Sequence, residues 1–247
     1  MVDELDLANQ TAHRSNRWDL AAAAKPVDAW WTVLVVDPLA IRLLPVLLRW
    51  RIVTANLVTS IAFVVGIFSV AAFAYGHFVA GAALYELRFV LDCLDGKIAR
   101  ARCASSPLGA AFDRVGDALT GPAAYAAIGL ALAQRHDLRP QLALLPALMS
   151  TLVTVLAFSL ELVRTRAVLG QEVWFVGHGH VVDWFRRHRL TLVPSTVEAE
   201  TLGLFMAPLV LNGRTLSSTE LVIAGLYGVL GLVNLGLIAS AGRAAGG

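Results

Sequence analysis

The chain has 247 residues, 57% of them hydrophobic and 15% charged, with a mean hydropathy of +0.67. A soluble domain of this length is about half apolar and a quarter charged, so the balance excludes an ordinary soluble protein and points to one polytopic membrane domain. The net charge of +2 gives no footing for a nucleic-acid partner.

Residues 1–24 are polar, acidic at the very start and without the apolar core of a secretory signal, and they read as a disordered cytoplasmic tail. Residues 25–50 form a juxtamembrane amphipathic segment. Trp30 and Trp31 are interfacial anchors, while Asp28, Asp37, Arg42, Arg49, Pro38 and Pro45 make the stretch too charged and too broken to span. It suits a helix lying in the membrane interface, or a short buried helix pair packed on the bundle. Residues 51–241 read as an all-α, six-helix membrane domain. Its spans lie at about 55–78, 79–103, 107–134, 140–165, 196–212 and 218–240, each near the ~20 residues a bilayer requires. Pro122 predicts a kink in the third. The fifth is the least regular, because it carries Glu198, Glu200 and Pro208. Residues 166–194 form a polar, basic loop, and its His178 and His180 are only a weak metal signal. Cys93 and Cys103 fall on one predicted helix, about 15 Å apart along its axis, too far to pair.

Loop charges set the orientation. Arg14, Arg17 and Lys25 precede the first span. Lys97, Arg100 and Arg102 lie between the second and third, and Arg164, Arg166, Arg186, Arg187 and Arg189 between the fourth and fifth. The other side has Arg135, Arg139 and Arg214. The bias predicts a multi-pass protein of the cytoplasmic membrane with both termini and the second–third junction facing the cytoplasm.

That junction carries the chemistry. Asp92, Asp95, Asp113 and Asp117 sit beside strongly apolar sequence, where a carboxylate costs roughly 2.5–3.5 kcal/mol to insert. Asp92 and Asp95 are three apart and Asp113 and Asp117 four apart, so on helices each pair shares a face. Gly96 and Ala99 continue the first face with almost no side chain, and Arg100 lies at its edge. Gly109 leaves the second helix bare one turn before Asp113. Two such helices face to face make an oxygen cage for a hard divalent cation such as Mg²⁺ or Mn²⁺, with room for a phosphate against the backbone and a guanidinium to pair with it.

The pattern Asp92-x2-Asp95-Gly96-x2-Ala99-Arg100-x8-Gly109-x3-Asp113-x3-Asp117 resembles, position for position, the signature of the CDP-alcohol phosphotransferases, membrane enzymes of phospholipid synthesis. The resemblance implies six spans, a homodimer and two metal ions, one held by Asp92, Asp95 and Asp113, the other by Asp92, Asp113 and Asp117. It makes Asp117 the general base and places Gly96, Arg100 and Ser106 at the nucleotide diphosphate. Ser106 is equally a helix cap. The stretch TANLVTS is similar to the family's Thr-Pro-Asn-x-x-Thr segment, with Ala55 in place of Pro; Asn56, Leu57, Val58 and Thr59 then line the cytidine pocket, or Thr54 or Asn56 simply caps the span. Arg164-Thr165-Arg166-Ala167 resembles the basic tract of relatives with phosphorylated acceptors, and positive-inside anchoring explains it as well. Lys25, Pro26, Asp28 and Trp30 loosely resemble the inositol-phosphate-using branch.

Two charges fall outside the signature. Arg88 lies one turn before Asp92 and either braces the carboxylates without metal or approaches a lipid phosphate. Glu86 points roughly 120° away and needs another partner, for instance across an oligomer interface. The expected reaction moves a substituted phosphate from a CDP-alcohol, CDP-diacylglycerol first among them, to a small polar alcohol such as inositol phosphate or glycerol phosphate, releasing CMP. The competing readings are a divalent-cation carrier built on the four aspartates and a silent scaffold; the intact signature speaks against the scaffold.

Overall fold

The computed structural model describes residues 23–104, 107–136, 139–166, 180–192, 195–211 and 213–245, and is helical throughout. A π-helical stretch, Thr32–Val36, leads into α1 (Asp37–Arg49). Then follow α2 (Ala55–Ala74), α3 (Phe78–Ala101) and α4 (Pro107–His136). A single turn, Pro140–Ala143, leads into α5 (Leu145–Arg166), and α6 is the short His180–Arg187. α7 (Thr196–Glu200) runs on through π-helical Thr201–Met206 into a last turn, Ala207–Val210, and α8 is Gly213–Ala245. No strand occurs among the described residues; one parallel bridge joins Asp28 to Leu190.

Each of the six predicted spans carries helix. Four of the described helices are long and apolar enough to cross a membrane, over Ala55–Ala74, Gly109–Arg135, Pro140–Leu160 and Gly213–Ala239. α3 falls short on composition, because Glu86, Arg88, Asp92, Asp95, Lys97 and Arg100 all lie on it. The fifth segment falls short on length, being divided between α- and π-helical turns. α4 runs continuously past Pro122.

α2 lies along α3 and α4, while α5 pairs with α8 and α4 bridges the two halves. The larger core joins Tyr85 of α3, Tyr125, Ile128 and Leu132 of α4, Val153 of α5, Leu204, and Tyr227 of α8. Close approach depends on small residues, as is usual where lipid supplies no hydrophobic drive between helices. A methyl on Gly129 would come within 2.0 Å of the Ala143 carbonyl oxygen.

Local signals set the helix ends. Thr54 is the cap of α2: its Oγ1 accepts a hydrogen bond from the Leu57 amide at 3.2 Å. α2 stops at Gly76, whose φ of +71° reverses the chain. Arg135 at the end of α4 ties that turn down by donating to the Tyr75 carbonyl at 2.8 Å. α3 ends at Ala101, so Cys103 lies past the helix rather than on it, and both cysteines are free.

α1 buries Ala40, Leu44 and Leu48 against Leu94, Ile98 and Ala101 of α3, and turns Leu39, Leu43 and Val46 outward. It is apolar on both sides. The segment before it is stitched to the far end of the chain. Glu198 caps its own helix by accepting from the Ser195 amide and hydroxyl, both at 2.6 Å. Its other oxygen accepts from the Trp30 amide at 2.5 Å and the Trp31 amide at 3.3 Å. Trp30 Nε1 donates to the Thr191 carbonyl at 2.7 Å. The Glu86 partner expected across an oligomer interface lies instead within the chain: Trp31 Nε1 donates to Glu86 Oε1 at 2.9 Å. An indole N–H is a donor without an acceptor site, so it suits a carboxylate that needs one bond at the end of an apolar pocket.

Candidate active site

α3 and α4 meet with their aspartates facing. Asp92, Asp95 and Asp113 each present a carboxylate oxygen such that the three atoms lie within 4.8 Å of one another. Three hard oxygens at this spacing, partly shielded from solvent, fit a divalent cation. Asp117 is not in that cluster. It accepts a hydrogen bond from Arg88 Nη2, which also lies 3.7 Å from Asp92 Oδ1. Of the two roles open to Arg88, the structure shows the bracing one. The guanidinium is buried, with a side-chain exposure of 5%, against 48% for Asp117.

Two cavities meet at the carboxylates. The smaller, about 160 Å³, is lined by Asn56, Thr59, Asp95, Gly96, Arg100 and Gly109, among others. It lies at the polar end, where the bare face of α3 exposes backbone. The larger, about 480 Å³, runs between α2 and α4 along Phe63, Val64, Phe112, Val115 and Leu119, with Arg88, Asp92 and Asp113 at its polar wall. The site therefore offers a polar room and an apolar room divided by metal-competent oxygens.

The remaining predicted residues divide. Thr59 reaches the site, donating from Oγ1 to Asp95 Oδ2 at 2.5 Å, and Asn56 lines both cavities. Leu57 and Val58 do not: Leu57 points outward and Val58 is buried against α1 and α3. A helix opening at Thr54 puts only every third or fourth residue on the site face, hence Asn56 and Thr59 together. Arg100 lines the smaller cavity while its Nε donates to the Ala23 carbonyl at 2.8 Å. Ser106, and the side chains of Arg164 and Arg166, lie outside the described residues.

One residue beside the signature was not singled out from the sequence. Lys97 follows Gly96 directly, yet its ammonium turns away from the aspartates to Asp37 Oδ1, at 2.7 Å, with both residues 2% exposed. Asp37 Oδ2 also accepts from Arg189 Nη2 at 2.9 Å. The only signal was the presence of single charges in otherwise apolar stretches.

Fold and site together define a polytopic helical membrane protein with a carboxylate cage for a divalent cation between two of its helices. The chain belongs to the CDP-alcohol phosphatidyltransferase family, whose family model matches residues 52–231. It is thus a transferase of substituted phosphate groups, of a family serving phospholipid synthesis. No curated protein sequence matches the chain. Its fold is similar to that of Mycobacterium tuberculosis phosphatidylinositol phosphate synthase with CDP-DAG bound, with a TM-score of 0.56 and 19% identity over 83% of this chain and 93% of that one. The same enzyme in complex with manganese and citrate has a TM-score of 0.53 and 18% identity, over 83% and 88%.

Proposed function

We propose that the protein transfers a phosphatidyl group from CDP-diacylglycerol to the hydroxyl of a small polyol phosphate, such as inositol phosphate or glycerol phosphate, and releases CMP. The observation that carries this reading is the position of the Asp92–Asp95–Asp113 oxygens between a polar and an apolar cavity. A donor with a nucleotide head and two acyl chains needs those two environments on either side of its diphosphate.

In this reading the acyl chains lie along Phe63, Phe112 and Leu119, and the nucleotide lies by Asn56, Thr59, Gly96 and Arg100. Ser106 contributes a hydroxyl to the diphosphate. Asp92, Asp95 and Asp113 hold one divalent ion, Mg²⁺ or Mn²⁺, and Asp92, Asp113 and Asp117 a second. When bound, the ions neutralise the diphosphate and make its β-phosphorus more electrophilic. Thr59 fixes the Asp95 carboxylate by its hydrogen bond. Gly96 lets the diphosphate approach the helix backbone, and Arg100 pairs with a phosphate oxygen. Asp117 accepts the proton of the acceptor hydroxyl, whose oxygen bonds to the β-phosphorus as the bond to CMP breaks. Arg164 and Arg166 clamp the acceptor's own phosphate. The bundle has six spans, with α1 lying in the interface, and works as a homodimer with the site facing the cytoplasm.

The test is CMP release by the purified protein given CDP-diacylglycerol, Mg²⁺ and one acceptor at a time, with Asp117→Asn in parallel. Acceptor-dependent release that the variant abolishes supports the reading and names the acceptor. Metal flux across vesicles without nucleotide dependence would replace it by a cation carrier.

A further inference from the structure

A carboxylate–tyrosine pair lies one turn further into the bundle than the aspartates, and none of the roles above uses it. Tyr85 precedes Arg88 by three residues on α3 and is 2% exposed. Its hydroxyl donates to Glu200 Oε2 at 2.8 Å. The other oxygen of Glu200 rests on α4 at Gly121, four residues beyond Asp117. A methyl there would come within 2.6 Å of Oε1, so only glycine admits the carboxylate. The charged groups that face Glu200 are Arg88 and Asp117. Arg88 therefore stands between two acidic sites. It contacts Asp117 and Asp92 on one side, and Glu200 is on the other. Its aliphatic stem runs over Gly66, where a methyl would meet Cγ at 3.5 Å.

This arrangement bears on metal loading, and the inference rests on the metal-site reading above. A guanidinium keeps its charge at any working pH. While Arg88 holds Asp117, that carboxylate cannot serve a cation. If a cation takes Asp117, Arg88 is left as a buried charge without a partner, which is strongly unfavourable. We propose that Arg88 is a mobile counter-charge. It braces Asp117 and Asp92 when the carboxylates hold no cation, and turns to the Tyr85-held Glu200 when they do. Glu200 is then a positioning residue that favours cation loading by offering Arg88 a second anionic partner, and Tyr85 holds that partner in place.

The test is Mn²⁺ binding to the full chain in detergent, without nucleotide, read from the free-Mn²⁺ paramagnetic resonance signal. Glu200→Gln should weaken binding on the order of tenfold, within the range found for coupled neighbours. Arg88→Gln should bind at least as tightly as the wild type. The double variant should match Arg88→Gln, because Glu200 acts only through Arg88; a merely structural role would add its loss in both backgrounds. If Glu200→Gln does not fold, Tyr85→Phe should show the same Arg88-dependent weakening, about threefold. Wild-type affinity in Glu200→Gln, or a loss that persists in the Arg88→Gln background, would overturn the proposal and leave the metal site standing. A wild type that binds no Mn²⁺, like an Asp113→Asn control, would overturn the metal-site reading itself and this inference with it.

Discussion

Asp37→Asn isolates the contact that ties α1 to the signature helix. The carboxylate is 2% exposed and meets a Lys97 ammonium that is equally buried, 2.7 Å away. Without it, the nearest remaining partner of Lys97 is the Cys93 carbonyl, at 3.4 Å. Breaking one side of a buried pair costs about 3–5 kcal/mol, because the surviving charge stays desolvated. For a chain of this size each kcal/mol moves the midpoint by about 2–4 °C. Thermal unfolding in detergent, followed by tryptophan fluorescence, should therefore show a fall of about 6–20 °C. Removing the stranded charge as well, in Asp37→Asn with Lys97→Met, should recover a good part of it. Arg189→Gln should cost under about 1 kcal/mol, since that guanidinium is partly exposed and the Asp37–Lys97 pair survives. A midpoint for Asp37→Asn within 2 °C of the wild type would refute the reasoning, and α1 would then be held by Ala40, Leu44 and Leu48 alone.

Other substitutions address the chemistry and the packing. Asp117→Asn should lower CMP release by about 10²- to 10⁴-fold, the usual worth of a general base, while nucleotide binding persists; unchanged turnover would remove Asp117 from that role. Stripping divalent ions with a chelator should abolish turnover, and Mn²⁺ or Mg²⁺ should restore it; activity in the metal-free protein would contradict the proposed use of Asp92, Asp95 and Asp113. Gly129→Ala should destabilise by about 2–3 kcal/mol, since its methyl would meet a backbone carbonyl that cannot step aside; a midpoint equal to wild type would show that α4 and the Pro140–Ala143 turn are not packed as described.

The sequence made the centre of the site legible because its spacings are local. Asp92 and Asp95, and Asp113 and Asp117, needed only helical periodicity to be placed on two faces, and Gly96 and Gly109 to be placed beside them. Leu57 and Val58 were carried along with Asn56 and Thr59 as a stretch, although the same periodicity excludes them from one face. The pairings that hold the bundle were not legible. Trp30 meets Glu198 across 168 positions and Tyr85 meets Glu200 across 115, and no hydropathy pattern encodes such distances. The charges Glu198 and Glu200 made the fifth segment look doubtful as a span. In the fold they are what it contributes: one carboxylate caps its helix and clasps the two tryptophan amides, and the other reaches α3.

The charges of α3 explain why the site lies where it does. Most of its ionic groups find a protein partner: Glu86 has Trp31, Asp95 has Thr59, Lys97 has Asp37 and Arg100 has the Ala23 carbonyl. With α4 the balance changes. Asp92, Asp95, Asp113 and Asp117 carry four negative charges when ionised, and Arg88 is the one cation in contact with them, so −4 and +1 leave −3. A thriving bundle core cannot leave such an excess uncompensated in a low-dielectric setting. Divalent cations are the compensation these oxygens fit, and a diphosphate donor then meets a positive surface instead of a repulsive one. The partners of Glu86, Lys97 and Arg100 lie on or just before the segment leading into α1. The N-terminal residues from Ala23 to Asp37 therefore do for α3 what an apolar surface does for an ordinary span: they make a charged helix tolerable at that depth. Deleting them should cost metal affinity as well as stability, because the helix that loses its partners is the one that carries Asp92 and Asp95.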